Sequence, residues 1–222
     1  MITIWSSKGG VGKTSIAIEL AERLGAGIIT NEANSRLPLF SFLEGKYYVL
    51  EHEQTISELN INENVILDFG GMVDPRVLEA IELSQYILMP VTPSMIDVQK
   101  CAEDIEGILT AFKIAGENLA QEDFIALINE ILSRIIIIVN KNVMEGESQA
   151  VVGQITNILK ASGIEYQLTH FTLPESRALK NMHAEMLSIK QMISNAQSPM
   201  LLSRSYSKIN TVFEKIVQFV TQ

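Results

Sequence analysis

The stretch that most limits what this chain can become is Lys8-Gly9-Gly10-Val11-Gly12-Lys13-Thr14, a glycine-rich turn near the N-terminus. An apolar run, Met1-Ile2-Thr3-Ile4-Trp5, precedes it, and Ser15-Ile16-Ala17-Ile18-Glu19-Leu20 follows with helical spacing. The order is strand, glycine loop, helix. In such a loop the backbone N–H groups turn inward and, with the positive end of the following helix, form a concave site for phosphates. Gly9, Gly10 and Gly12 let the backbone approach an anion, with Val11 and Ser15 completing the cup. Lys13 is placed to reach the β- and γ-phosphates, and the Thr14 hydroxyl to ligate Mg²⁺. Ser7 stands where the strict G-x-x-x-x-G-K-[ST] pattern has its first glycine, and Lys8 follows it.

A lysine ahead of two glycines is the deviant Walker A form, K-G-G-x-G-K-[ST]. On these residues the sequence resembles the ParA/MinD family of dimerising ATPases, and Tyr86-Ile87-Leu88-Met89-Pro90-Val91-Thr92-Pro93-Ser94 looks like the stretch after switch II in the small plasmid-partition ParA proteins and the VirC-type conjugation accessory ATPases. The resemblance implies a P-loop NTPase fold, a single-domain doubly wound α/β protein over residues 1–222 with a mostly parallel sheet and helices on both faces. It implies ATP and Mg²⁺ as cofactors, and an ATP-dependent homodimer in which Lys8 reaches the partner subunit's phosphates.

Composition agrees with one such domain. In 222 residues 47% are apolar, enough for a sizeable core. No apolar run reaches the length of a membrane span and no secretory leader pattern is visible, so the expected location is cytoplasmic. Cys101 is the only cysteine, which excludes an internal disulfide and the paired cysteines of an iron–sulfur site. His52, His170 and His183 show no metal-ligand spacing.

The net charge is −9, unevenly spread: residues 1–175 hold 11 Lys and Arg against 24 Asp and Glu, residues 176–222 hold 6 against 2. A basic end on an acidic body suits a local phosphate-contacting face and equally suits ordinary solvated helices. Nonspecific DNA is the expected partner of such a face, through Lys180, Lys190, Arg204 and Lys208.

Further along, 28–30 reads as a short buried strand that brings Asn31-Glu32-Ala33-Asn34-Ser35-Arg36 to the carboxyl edge of the sheet, where ligands of open parallel sheets collect. The family pattern there is D-x-D. Glu32 is the matching acid, Asn34 takes its place if the register slips, and a plain polar loop is the remaining reading. Val65-Ile66-Leu67-Asp68-Phe69-Gly70-Gly71 is a buried strand ending in an acid and two glycines; it resembles Walker B with switch II, and Asp68 would hold Mg²⁺.

Helices are expected over 76–83, begun at Asp74-Pro75, and over 98–115. On the latter Glu103, Asp104 and Glu106 form a solvated acidic face. Residues 116–133 add a helical turn or two, and 135–139 form a core strand followed by Asn140-Lys141-Asn142. By resemblance Asn140 hydrogen-bonds the adenine edge; a ligand-free turn fits the residues as well. A helix over 148–162 is closed by Gly163 and followed by a last strand over 166–171. Its loop contains Pro174 and Glu175, which the resemblance places near the base, and Arg177, a candidate for the dimer seam or DNA. Ile209, Val212, Phe213, Ile216, Val217 and Val220 give a terminal amphipathic helix expected to dock on the sheet.

Three functions fit. The resemblance favours a nucleotide switch in plasmid or chromosome partitioning, stimulated by a centromere-binding ParB-type partner. The others are a conjugation or positioning accessory, and a nucleotide-gated binding module with little hydrolysis.

Overall fold

Strand β1, Ile2–Ser6, is buried at every residue and sends its side chains alternately to two hydrophobic cores. Ile2 and Ile4 enter one, Trp5 the other. The computed structural model describes the chain apart from residues 62, 63, 72, 74, 118, 119, 143, 145 and 197–203, and the side chains of 142, 204 and 205. Among the described residues the other strands are β2 (Gly27–Thr30), β3 (Tyr47–Val49), β4 (Val65–Gly70), β5 (Tyr86–Val91), β6 (Ile135–Asn142) and β7 (Thr169–Pro174). They form one sheet in the order β3-β2-β4-β1-β5-β6-β7, every pair parallel.

Parallel strands are covered on both faces, so they must be apolar on both. Strand β6 shows this directly: Ile135, Ile137 and Val139 pack into one core, Ile136 and Ile138 into the other. The first core lies under α2 (Pro75–Leu83), α3 (Met95–Ala115), α4 (Gln121–Arg134) and α5 (Glu147–Ala161). The second lies under α1 (Lys13–Leu24), α6 (Arg177–Glu185), α7 (Ile189–Ser194) and α8 (Arg204–Val220). The arrangement is the doubly wound architecture expected from the sequence. Successive connections from β1 to β2 and from β4 to β5 run to opposite sides of β1, so the carboxyl end of β1 lies at the reversal point where such sheets bind ligands.

Several elements depart from the sequence expectations. Helix α3 starts one turn early, at Met95, with Ser94 at its N-cap and Asp97 in its first turn. The insertion forms a full 14-residue helix, α4, rather than a turn or two. Strand β7 lies three residues later than expected, because its register is set by pairing of Ile136 with Thr169 and a break between Val139 and Asn142. Helices α6 and α7 escaped the sequence reading: α6 buries only Ala178 and Met182, and α7 spans six residues. The expected helix start at Asp74 lies outside the described residues.

Helix α8 docks as expected. Ile209, Phe213, Ile216 and Val220 sit in the second core, and Phe219 packs edge-on to Phe171. Among the described residues no helix is long and apolar enough to cross a membrane. Cys101 is buried in α3, where desolvation pushes its thiol well above the usual range and leaves it inert.

A buried ion pair ties these helices together. Glu19 on α1 accepts from Arg23 at 2.6 Å, and from the backbone N–H groups of Ile189 and Lys190 at 2.6 and 3.2 Å, which are orphan donors at the start of α7. Arg23 also donates to Asn210 of α8 at 2.6 Å. Removing one member of such a pair leaves the other charged and unpaired in the interior. Glu19→Ala is expected to lower stability by about 3–5 kcal/mol in urea unfolding. Glu175→Ala, which breaks the exposed 3.9 Å contact with Lys180, should cost under about 1 kcal/mol.

Candidate functional site

The glycine loop lies at the carboxyl end of β1 and opens into a cavity of about 710 Å³, large enough for a nucleotide. Gly9, Gly10, Gly12, Lys13, Thr14 and Ser15 line it. Gly12 has φ 98°, and a Cβ built on it would sit 2.4 Å from the Asn140 amide nitrogen, so glycine is required there twice over. Val11 is buried beneath the loop, its carbonyl accepting from Asn140 Nδ2 at 2.8 Å. Lys13 Nζ donates to the Lys8 carbonyl at 3.1 Å.

Ser7 explains the departure from the strict motif. Its N–H donates to Asp104 Oδ2 at 2.9 Å and its hydroxyl to Oδ1 at 2.5 Å, so one carboxylate of α3 grips the start of the loop. This corrects the expectation of a solvated acidic face on α3. Glu103 is exposed, but Asp104 is buried, and Lys100 lies 3.6 Å from it. Helical periodicity groups Asp104 with its neighbours because it cannot see the loop that packs against it.

Two acids meet the loop from the sheet. Asp68 on β4 is buried, and among the described residues neither of its carboxylate oxygens has a hydrogen-bond partner at normal geometry. Burial pushes its pKa up to about 7, Glu32 adds to the rise, and the nearby Thr14 hydroxyl and Lys13 ammonium oppose it. Glu32 follows β2 and lines the cavity; its Oε1 lies 2.6 Å from where a Cβ on Gly70 would be, with Lys13 Cε 3.4 Å from the same point. Of the two candidates in that turn, Glu32 faces the cavity and Asn34 is exposed away from its lining.

Asn31, which the sequence left without a role, spans the same gap. Its amide donates to the Gly70 carbonyl at 2.9 Å and accepts from the Gly70 N–H at 3.0 Å. Trp5 Nε1 holds the next carbonyl, Gly71, at 3.2 Å. Gly70 and Gly71 are thereby held to the ends of β2 and β1.

At the other end of the cavity lie Asn140, Lys141 and Glu175, while Pro174 closes β7 beside the lining rather than in it. Asn140 Oδ1 accepts from the Lys141 N–H at 2.9 Å, so the Asn140 amide is already engaged on both sides. Ser15 Oγ lies 2.7 Å from His183 Nε2. Burial, with Arg36 nearby, lowers the His183 pKa and favours the neutral ring. Arg36 lines the cavity, as expected of the stretch after β2, whereas His183 was invisible as a site residue because α6 carries no recognisable motif.

Lys8 points elsewhere. Its side chain is 44% exposed and its Nζ lies 4.0 Å from Asp97 Oδ1, outside the cavity lining. The basic residues considered for DNA lie on α6, α7 and α8, the helices over the second core. Lys180 lines the cavity, Lys190 Nζ donates to the Glu22 carbonyl, Lys208 is exposed, and the Arg204 side chain lies outside the described residues.

These residues fit Mg²⁺ with a nucleotide. Among the described residues no cluster of three or more His, Cys, Asp or Glu could hold a metal alone. Mg²⁺ is ordinarily held by one or two protein oxygens together with phosphates and water, and the unpaired Asp68 carboxylate beside Thr14 supplies that minimum.

The fold has relatives among solved structures. McdA of Cyanothece, in its ATP complex, is 16% identical over 99% of this chain and 95% of its own, with a TM-score of 0.61. MinD of Aquifex aeolicus is 14% identical over 99% and 95%, at 0.58. A plasmid-partition-type protein of Borrelia burgdorferi bound to AMPPNP is 16% identical over 98% of both chains, at 0.51. The chain has the ParA/MinD fold. No protein-family model matches it, and neither does any curated sequence. Within the ParA/MinD fold the deviant loop, Glu32 and Asp68 of this chain stand at the carboxyl edge of neighbouring strands.

The raised Asp68 pKa has a consequence for the nucleotide-free protein. A carboxyl that holds its proton more tightly when folded lowers stability as pH rises from about 4, where the unfolded group ionises, to about 7. Asp68→Asn should therefore raise the thermal midpoint more at pH 8 than at pH 5, by several degrees, in calorimetry without metal or nucleotide.

Proposed function

We propose that the chain is a cytoplasmic, slow, Mg-dependent ATPase whose ATP-bound homodimer acts as a switch in partitioning DNA. The observation that carries this reading is the division of labour between two lysines. Lys13 lies in the cavity, whereas Lys8, on the same loop, projects outward beside Ile96, which is 72% exposed. An outward ammonium next to apolar surface suits a second subunit that covers that surface and receives the charge.

In this reading the loop amides and Lys13 bind the triphosphate, Thr14 and Asp68 hold Mg²⁺, and Glu32 orients the attacking water and receives its proton. Mg²⁺, when bound, neutralises charge on the phosphate oxygens. Loss of the γ-phosphate would release the segment after Gly70 and with it the dimer. Glu175 and Pro174 border the base, and a ParB-type partner would stimulate turnover.

A second reading, a positioning or conjugation accessory with a protein cargo, draws support from the acidic body, 24 Asp and Glu against 11 Lys and Arg over residues 1–175. Sizing columns run with ATP, ADP and no nucleotide should show a dimer only with ATP, lost in Lys13→Ala and in Lys8→Ala. Glu32→Ala should keep the dimer and lower kcat by about 10²–10⁴-fold. DNA retention by that trapped dimer, falling steeply with salt, supports partitioning; capture of a protein partner without DNA supports the accessory role. A monomer under all conditions overturns both.

A further inference from the structure

Lys141 adopts φ 60°, in the left-handed region that a lysine seldom occupies, and sits where the register of β6 against β7 breaks. Strain of this kind persists only where the surroundings fix it. Here the pairing of β6 with β7 on either side of the break holds the backbone, and the side chain is left against the glycine loop: Lys141 Nζ donates to the Gly10 carbonyl at 3.0 Å, one residue before the Val11 carbonyl that Asn140 holds at 2.8 Å. Two consecutive carbonyls of the loop are thus pulled toward the end of one strand.

A trans peptide plane puts each C=O and the following N–H on opposite sides. Fixing the Gly10 and Val11 carbonyls therefore turns the N–H groups of Val11 and Gly12 the other way. Gly10 and Gly12, at φ 79° and 98°, can adopt that arrangement but would not hold it unaided. We propose that Lys141 is a positioning residue: with Asn140 it aims the Val11 and Gly12 amides at a bound phosphate, so its ammonium serves the anion site through the loop backbone and not by touching the anion. The inference deepens the nucleotide reading and rests on it for the identity of the anion.

The test compares the unmodified protein with Lys141→Asn, which tolerates the same backbone conformation but is too short to reach Gly10, and with Lys141→Arg, which restores a long cationic donor. Two readouts separate the claims. Amide hydrogen exchange of the 8–13 segment without nucleotide should quicken in Lys141→Asn and return in Lys141→Arg, while the thermal midpoint stays unchanged. Affinity for Mg-ADP should fall about tenfold in Lys141→Asn, as expected for loss of a charged hydrogen bond, and affinity for adenosine by less than about twofold. Unchanged exchange overturns the brace. Equal losses for ADP and adenosine would also overturn it, since the lysine would then act on the nucleoside. If the exchange result holds but the unmodified protein binds no Mg-ADP, the brace stands and the nucleotide reading falls.

Discussion

A loop that binds anions through its backbone must keep its amides facing inward, and an isolated glycine loop has no reason to do so. In this chain the loop is held by side chains of other elements. Asn140 and Lys141 hold Val11 and Gly10 from β6, and Asp104 holds Ser7 from α3. Each grip is made by an element of the sheet or its covering helices, so the cup is only as well formed as the fold around it. Preorganised dipoles of this sort are worth more than dipoles that must reorient when charge arrives.

The same dependence decides what could be read from the sequence. Motifs whose chemistry is local were legible: the glycine loop, the strand ending in Asp68, the isoleucine run of β6 that must feed two cores. Glu32 was legible only as one of two candidates, and its placement against Gly70 separates it from Asn34. Residues that work through tertiary contact were not legible. Asp104 carries the same letter as a solvated helix acid, and only the docking of Ser7 makes it a grip. Lys141 looks like a turn residue because both its backbone conformation and its partner depend on the pairing of β6 with β7. Helix α6 hid for a related reason: it buries so little apolar surface that its periodicity barely registers, yet it delivers His183 to Ser15.

Charge is distributed around the cavity with one imbalance. Lys13, Arg36, Lys141 and Lys180 face it along with Glu32 and Glu175, an excess suited to an anion, while Asp68 is buried, with the nearby Thr14 hydroxyl and Lys13 ammonium only partly offsetting the cost of its charge. A buried carboxylate with both oxygens unpaired is costly unless it is protonated or meets a cation. Neutral water cannot offset that cost as a divalent cation can, so a metal held at Asp68 and an anion above it would stabilise each other.

Lys8 completes the electrostatic argument by being weakly held. Its partner Asp97 already accepts from Thr92 at 2.5 Å, and the ammonium stands 4.0 Å away with nearly half its side chain in solvent. Such a contact is worth about 0–1 kcal/mol, less than a charge-assisted hydrogen bond to a phosphate. Asp104, by contrast, cannot let go of Ser7 without leaving a largely buried carboxylate short of its donors. One end of the loop is therefore anchored and the side chain next to it is free to move, which is the mechanical condition for a residue that acts in another subunit while its own backbone stays in place.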